Sequence, residues 1–116
     1  MEIGAKGLQR ANLIIPQGTT LAFTIVHKDE SGNIVDHGAD TFAMAFQTRD
    51  NADNIDASQY VTATERSIEV TLPDAFTSTL DIGTMLWDLI VTAGSGSTRL
   101  VFGDAIIVDT YALDGE

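Results

Sequence analysis

The sequence predicts an all-β sandwich, and three observations predict it. Apolar and polar residues alternate with period two through most of the 116-residue chain. Turn-forming clusters recur at roughly 8–12-residue spacing and mark off about seven to eight short, mostly antiparallel strands. There is no strand–helix alternation and no internal repeat at a period of about 20–50 residues. A closed barrel is the alternative architecture. A chain of this length forms one domain and buries roughly two-thirds of the surface that its unfolded form exposes. An apolar fraction of 44% is enough to fill one core.

The elements follow in order. Asn12-Leu13-Ile14-Ile15 is a short strand stopped by Pro16, and proline suits the end of an edge strand. Gln17-Gly18 turns the chain into the strand of residues 19–27. There Leu21, Phe23 and Ile25 share one face, and Ala22, Thr24 and Val26 the other. Asp29-Glu30-Ser31-Gly32-Asn33 is a turn, with Gly32 free to take positive φ, and Ile34-Val35 briefly resumes the strand. In residues 41–48, Phe42, Met44 and Phe46 alternate with Ala43 and Ala45, small residues that suit close packing or a neighbouring subunit. Residues 50–56 are a polar loop. Two strands follow, Tyr60-Val61-Thr62-Ala63 and residues 67–72, with Ile68, Val70 and Leu72 on one face of the second.

Residues 73–80 are the one helix-like stretch. Phe76 and Leu80, spaced i, i+4, place a short helical turn near residues 74–80 as a plug at one end of the sandwich. A run this short and this rich in Ser and Thr is not an independent helix. Residues 85–93 form a strand with Trp87, Leu89 and Val91 on the core face. Gly94-Ser95-Gly96-Ser97 is a hairpin loop, and residues 98–108 return as its partner. Gly103 within that partner strand marks a bulge or a close backbone approach.

Composition excludes several functions. There are no cysteines, so disulfides and thiolate metal sites are out, and a reducing cytosol is the favoured place of synthesis. Seventeen acidic against 6 basic residues give a net charge of −11, which repels nucleic acid and anionic membranes. No apolar run approaches the ~20 residues of a membrane span. The first ten residues carry no secretory h-region.

The sequence offers little chemistry. There is no nucleophile elbow and no phosphate-binding glycine loop, and carboxylate pairs carry no information in so acidic a chain. No enzymatic activity and no cofactor are expected. His27 and His37 flank the turn at residues 29–33 and are able to approach one another. A metal there would need a third ligand, with Asp29, Glu30 and Asp36 as the candidates. The Asp50–Asp56 loop is rich in oxygen ligands but fails the EF-hand pattern, with Ala52 at position three and Ile55 at position six. A solvated loop is the default there, and calcium binding is left open.

One region goes beyond a generic β pattern. Leu80-Asp81-Ile82-Gly83-Thr84-Met85-Leu86-Trp87-Asp88-Leu89-Ile90-Val91-Thr92 is followed, after a short loop, by Thr98-Arg99-Leu100-Val101-Phe102-Gly103-Asp104-Ala105-Ile106-Ile107-Val108. Ile14-Ile15-Pro16-Gln17-Gly18-Thr19-Thr20-Leu21 and Asp29-Glu30-Ser31-Gly32-Asn33-Ile34-Val35-Asp36 add to it. Together these stretches resemble the N-terminal domain of baseplate upper proteins of tailed phages. The resemblance covers about residues 12–108.

It implies an immunoglobulin-like sandwich and a virion structural protein of tail, baseplate, neck or capsid accessory type, made in the host cytoplasm. Its partners are then other virion proteins and itself, as a homo-oligomer, with no nucleic acid or membrane. The expected layout is a flexible segment at 1–10, the sandwich at 11–109 and a tail at 110–116. The expected contact residues are Ile3, Leu8, Leu13, Ile14 and Ile15. The alternative is a carbohydrate- or cell-surface-binding sandwich module, with Tyr60 and Tyr111 as the aromatics to test.

Overall fold

A computed structural model describes residues 1–4, 9–48, 54–94 and 96–109. Among the described residues the strands are β1 (Glu2–Ile3), β2 (Gln9–Arg10), β3 (Leu13–Pro16), β4 (Leu21–His27) and β5 (Thr41–Gln47), then β6 (Asn54–Asp56), β7 (Val61–Ala63), β8 (Ile68–Leu72), β9 (Gly83–Ala93) and β10 (Gly96–Val108). They form two sheets. One runs β1-β4-β8-β7. The other runs β2-β10-β9-β5-β6, with β3 also on β10. The expected all-β sandwich is the observed architecture. Most ladders are antiparallel, but β1, β2 and β3 all pair in parallel.

The core sits between the sheets and is filled by the alternation seen in the sequence. Ile25, Ile68, Val70 and Leu72 come from the first sheet. Met44, Phe46, Trp87, Leu89 and Val91 come from the second. The hairpin β9–β10 is the spine of the molecule, with pairing that runs from Gly96–Ala93 to Ile107–Gly83. A register shift between Arg99 and Val101 lets Leu100 and Val101 both point inward.

The helical turn α1 (Asp74–Thr77) closes one end of the sandwich, as its spacing predicted. Phe76 is buried there against Tyr60 and Phe46, with ring centroids 5.0 and 5.9 Å away, and Leu80 is fully buried. The Thr77 hydroxyl donates to the Thr19 carbonyl at 2.6 Å, and the Gln17 amide donates to the Leu80 carbonyl at 2.7 Å. These bonds tie the plug to the β3–β4 turn.

Several boundaries differ from expectation, each for a physical reason. Two described stretches of the first ten residues are strands. Glu2–Ile3 adds to the edge of β4, where the Met1 carbonyl accepts from Val26 N–H and the Ile3 carbonyl from Lys28 N–H. Ile3 fills the core at 1% exposure. Gln9–Arg10 pairs with Val101–Phe102 of β10. The N-terminal stretch thereby covers one edge of each sheet, edges that would otherwise present unpaired backbone groups. The loop expected at 50–56 contains strand β6, because Asn54, Ile55 and Asp56 complete the ladder on β5. Tyr60 belongs to a 3-10 turn (Ser58–Tyr60), so the strand begins only at Val61. The hairpin loop is shorter than expected. Gly94 takes φ +61°, which turns the chain at once, and Gly96 already pairs with Ala93.

Gly103 is a site of close approach and not a bulge. The carbonyl of Ala11 lies where a side chain on Gly103 would begin. Trp87, directly opposite on β9, donates its indole N–H to that same carbonyl at 2.9 Å. Gly103 and Trp87 together form a seat for the connector between β2 and β3. Asn12 Oδ1 completes it by accepting from Asp104 N–H.

Candidate interaction surface

The outer faces of the two sheets differ in chemistry. On the four-stranded sheet the outward positions are Glu2 of β1, Ala22, Thr24 and Val26 of β4, Glu69 and Thr71 of β8, and Thr62 of β7. That is a mostly polar face, as on a sheet turned to water. On the six-stranded sheet large apolar residues share the outward positions of the central strands with Asp88, Asp104 and threonines. Leu86 and Ile90 stand on β9, Phe102 and Ile106 on β10, and Ile14 on β3. Ile14 is 62% exposed and Leu86 38%. Ala43 and Ala45 of β5 lower the floor beside them and leave a shallow depression walled by Leu86, Ile90 and Phe102. Asp88 and Asp104 alternate with these residues, so the face sets large apolar side chains among a few charged ones.

Both arginines on this face are paired with aspartates, and Asp56 stands beside Ala45 at the β6 edge. Arg99 pairs with Asp88 at 3.3 Å and Arg10 with Asp104 at 3.5 Å. The Arg10 guanidinium lies over the Phe102 ring, 5.7 Å from its centroid. Exposed pairs of this type each contribute at most about 1 kcal/mol to stability. Their consequence is that the middle of the face is neutral in a chain of net charge −11.

The contact residues expected from sequence fall differently. Ile3, Leu13 and Ile15 are buried in the chain's own core, at 1%, 7% and 0% exposure, so their side chains are not available to a partner. The reason is the register of β3, which runs parallel to β10 from Leu13–Ala105 to Pro16–Val108 and turns alternate residues inward. Ile14 alone of that strand's apolar trio points outward, beside Ile106, and it joins the outer face of the sheet. Leu8 lies outside the described residues. Sequence reasoning missed Leu86, Ile90, Phe102 and Ile106 as surface residues. A signal was present: Met85-Leu86-Trp87 and Ala105-Ile106-Ile107 are apolar at both parities, as in strands covered on both faces.

His27 and His37 do meet. His27 Nδ1 and His37 Nε2 are 2.9 Å apart, and the His37 Nδ1 lies 2.7 Å from Asp40 Oδ2. Asp40 ionised accepts from His37 Nδ1–H, and which ring donates between His27 Nδ1 and His37 Nε2 depends on the tautomer. The third group is therefore Asp40, and none of the three acids named as candidate metal ligands. Asp29 Oδ1 accepts from the Ser31 and Asn33 N–H groups, and Asp36 Oδ1 from Gly38 N–H. Among the described residues no group of three His, Cys, Asp or Glu is arranged to hold a metal ion. The His37 ring packs edge-on to Phe42 and fastens the β4–β5 connection to the end of the sandwich.

Of the acidic loop, residues 50–53 lie outside the described residues. Asp56 accepts from the Ser58 N–H at 2.9 Å and from its hydroxyl, and these bonds hold its carboxyl below the usual carboxylate range. The Ser58 hydroxyl in turn accepts from Met44 N–H at 3.0 Å. Tyr60, one of the two aromatics considered for sugar stacking, is packed against Phe76. Tyr111 lies outside the described residues. No described helix is long and apolar enough to cross a membrane.

No family model matches the chain, and no curated protein matches it. Among solved structures it is similar to the N-terminal domain of phage TP901-1 ORF48. That match covers 91% of this chain and 97% of the other, at 8% identity and a TM-score of 0.49.

Proposed function

We propose that the chain is a structural protein of a tailed-phage or prophage particle that works by protein–protein assembly and carries out no chemistry. The observation that carries this reading is the closing hairpin, residues 80–108, with its resemblance to phage baseplate domains. Its motif residues have linked jobs in the fold. Leu80 seals one end of the core, and Gly83 takes φ +140° at the start of β9. Trp87 and Gly103 seat the Ala11 carbonyl, and Asp88 meets Arg99 across the hairpin. They specify how the N-terminal strand is clamped, a more particular device than strand alternation alone.

We infer further that the sandwich has immunoglobulin connectivity. The order β4-β8-β7 against β10-β9-β5-β6 supports this. With the N-terminal strands set aside, it corresponds to a B-E-D sheet facing a G-F-C sheet that carries one added edge strand. A rigid sandwich with large apolar side chains on one outer face suits a component that docks and stays docked.

The test is the protein's presence in particles. Particles released from the host of origin after prophage induction, banded by density and analysed by mass spectrometry, are expected to contain the chain in many copies. Its absence from intact particles, with the protein abundant in the lysate, would overturn the reading.

A further inference from the structure

We propose that the outer face of the six-stranded sheet docks a second copy of this chain about a twofold axis, a proposal that rests on the assembly reading and names its surface and partner. The difference between the two outer faces locates the contact, because the face with Ile14, Leu86, Ile90, Phe102 and Ile106 loses more unfavourable exposure when covered. Among the described residues its charged members are Arg10, Arg99, Asp56, Asp88 and Asp104, with no Lys or Glu. Buried interface centres favour aromatic, aliphatic and Arg side chains over Lys and Glu.

Charge selects the partner. Two copies of a chain at net −11 repel one another over most approaches. The centre of this face is the exception, since Arg10 and Arg99 are each matched by an aspartate within the face. Rotated about a twofold axis, the centre of the face meets its own Arg and Asp pairs and buries no net charge there, while Asp56 stands at the β6 edge. A basic partner of another kind would instead be drawn to the acidic remainder of the surface.

Size agrees. The face is five strand positions wide, and β9 alone is 11 residues long. Because β5, β6, β2 and β3 are shorter, the strands together cover on the order of 600 Å² at about 4.8 Å between strands and about 3.3 Å per residue. A specific interface clears about 1,000 Å² in total over its two partners. The depression over Ala43 and Ala45 gives the partner's protruding Leu86 a place to seat.

The experiment is sedimentation equilibrium of the full chain across loading concentrations, at low and high salt. The wild type is expected at twice the 12.4 kDa chain mass, with association unchanged or tighter in high salt as the −11 charges are screened. Leu86→Glu and Ala45→Arg, both at outward positions, are expected to weaken association at least about tenfold. Their unfolding midpoints should stay close to wild type, and Thr71→Glu on the polar face should leave the mass unchanged. A wild type that is monomeric at every concentration overturns the proposal, as does a dimer that survives both variants. A monomer found in purified particles overturns this proposal alone and points to a different protein on the face. A dimer absent from particles overturns only the particle reading.

Discussion

At the scale of single residues, the most exacting position is Gly103. A methyl group there collides with a backbone carbonyl, which unlike a flexible side-chain tip has nowhere to swing. Gly103→Ala is therefore expected to lift the Ala11–Asn12 connector off its seat and cost about 1–3 kcal/mol, the usual range for overpacking. Chemical denaturation followed by Trp87 fluorescence checks it, since the indole loses its acceptor in the same event. An unchanged midpoint would contradict the seat.

Asp56 supplies the pH dependence. Its folded carboxyl titrates below the ordinary value of 3.8 because Ser58 donates two hydrogen bonds to the ionised form. The stabilisation is thus fully present above pH 3.8 and is lost as pH falls through the lower folded value. Ser58→Ala is expected to be less stable than wild type at neutral pH, with a gap that narrows on acidification through that window. It should not close fully, because Met44 N–H also loses its acceptor. A gap independent of pH, read from urea midpoints, would contradict the assignment.

At the scale of elements, strand order and core faces were legible because period two speaks directly to burial. The chain put Phe76 and Leu80 at helical spacing, and the plug is there. It put Trp87, Leu89 and Val91 on one parity, and they are in the core. The N-terminal segment was not legible. Glu2–Ile3 is two residues long and carries no periodicity, and what orders it is the unpaired edge of β4, a tertiary fact. The same holds for β6, whose Asn and Asp read as loop residues until β5 offers a ladder. The histidine pair was half legible. Proximity followed from the intervening turn, whereas the choice of Asp40 over the nearer acids depended on how residues 36–40 curl back. The prediction at this scale concerns β1. Ile3→Ala should cost about 2–5 kcal/mol, as for a filled core position. A change under about 0.5 kcal/mol, typical of surface sites, would favour the loose-segment description.

At the scale of the whole molecule, the candidate surface was hidden by the rule that revealed the fold. Alternation identifies the parity that fills the core and says nothing of the other, so Leu86, Ile90, Phe102 and Ile106 drew no notice. Three-dimensional adjacency of β3, β10, β9 and β5 is what merges them with Ile14 into one patch. The same adjacency places Arg10 and Arg99 where their aspartates neutralise them. The sheet that clamps the chain's own N-terminal strand on its edge thus offers its outer face for assembly. The most direct test is the amount of the chain in purified particles when the host supplies either wild type or Leu86→Glu. The account predicts wild type in many copies and the variant, though folded, depleted to background. Equal incorporation of both, or absence of both, would contradict it.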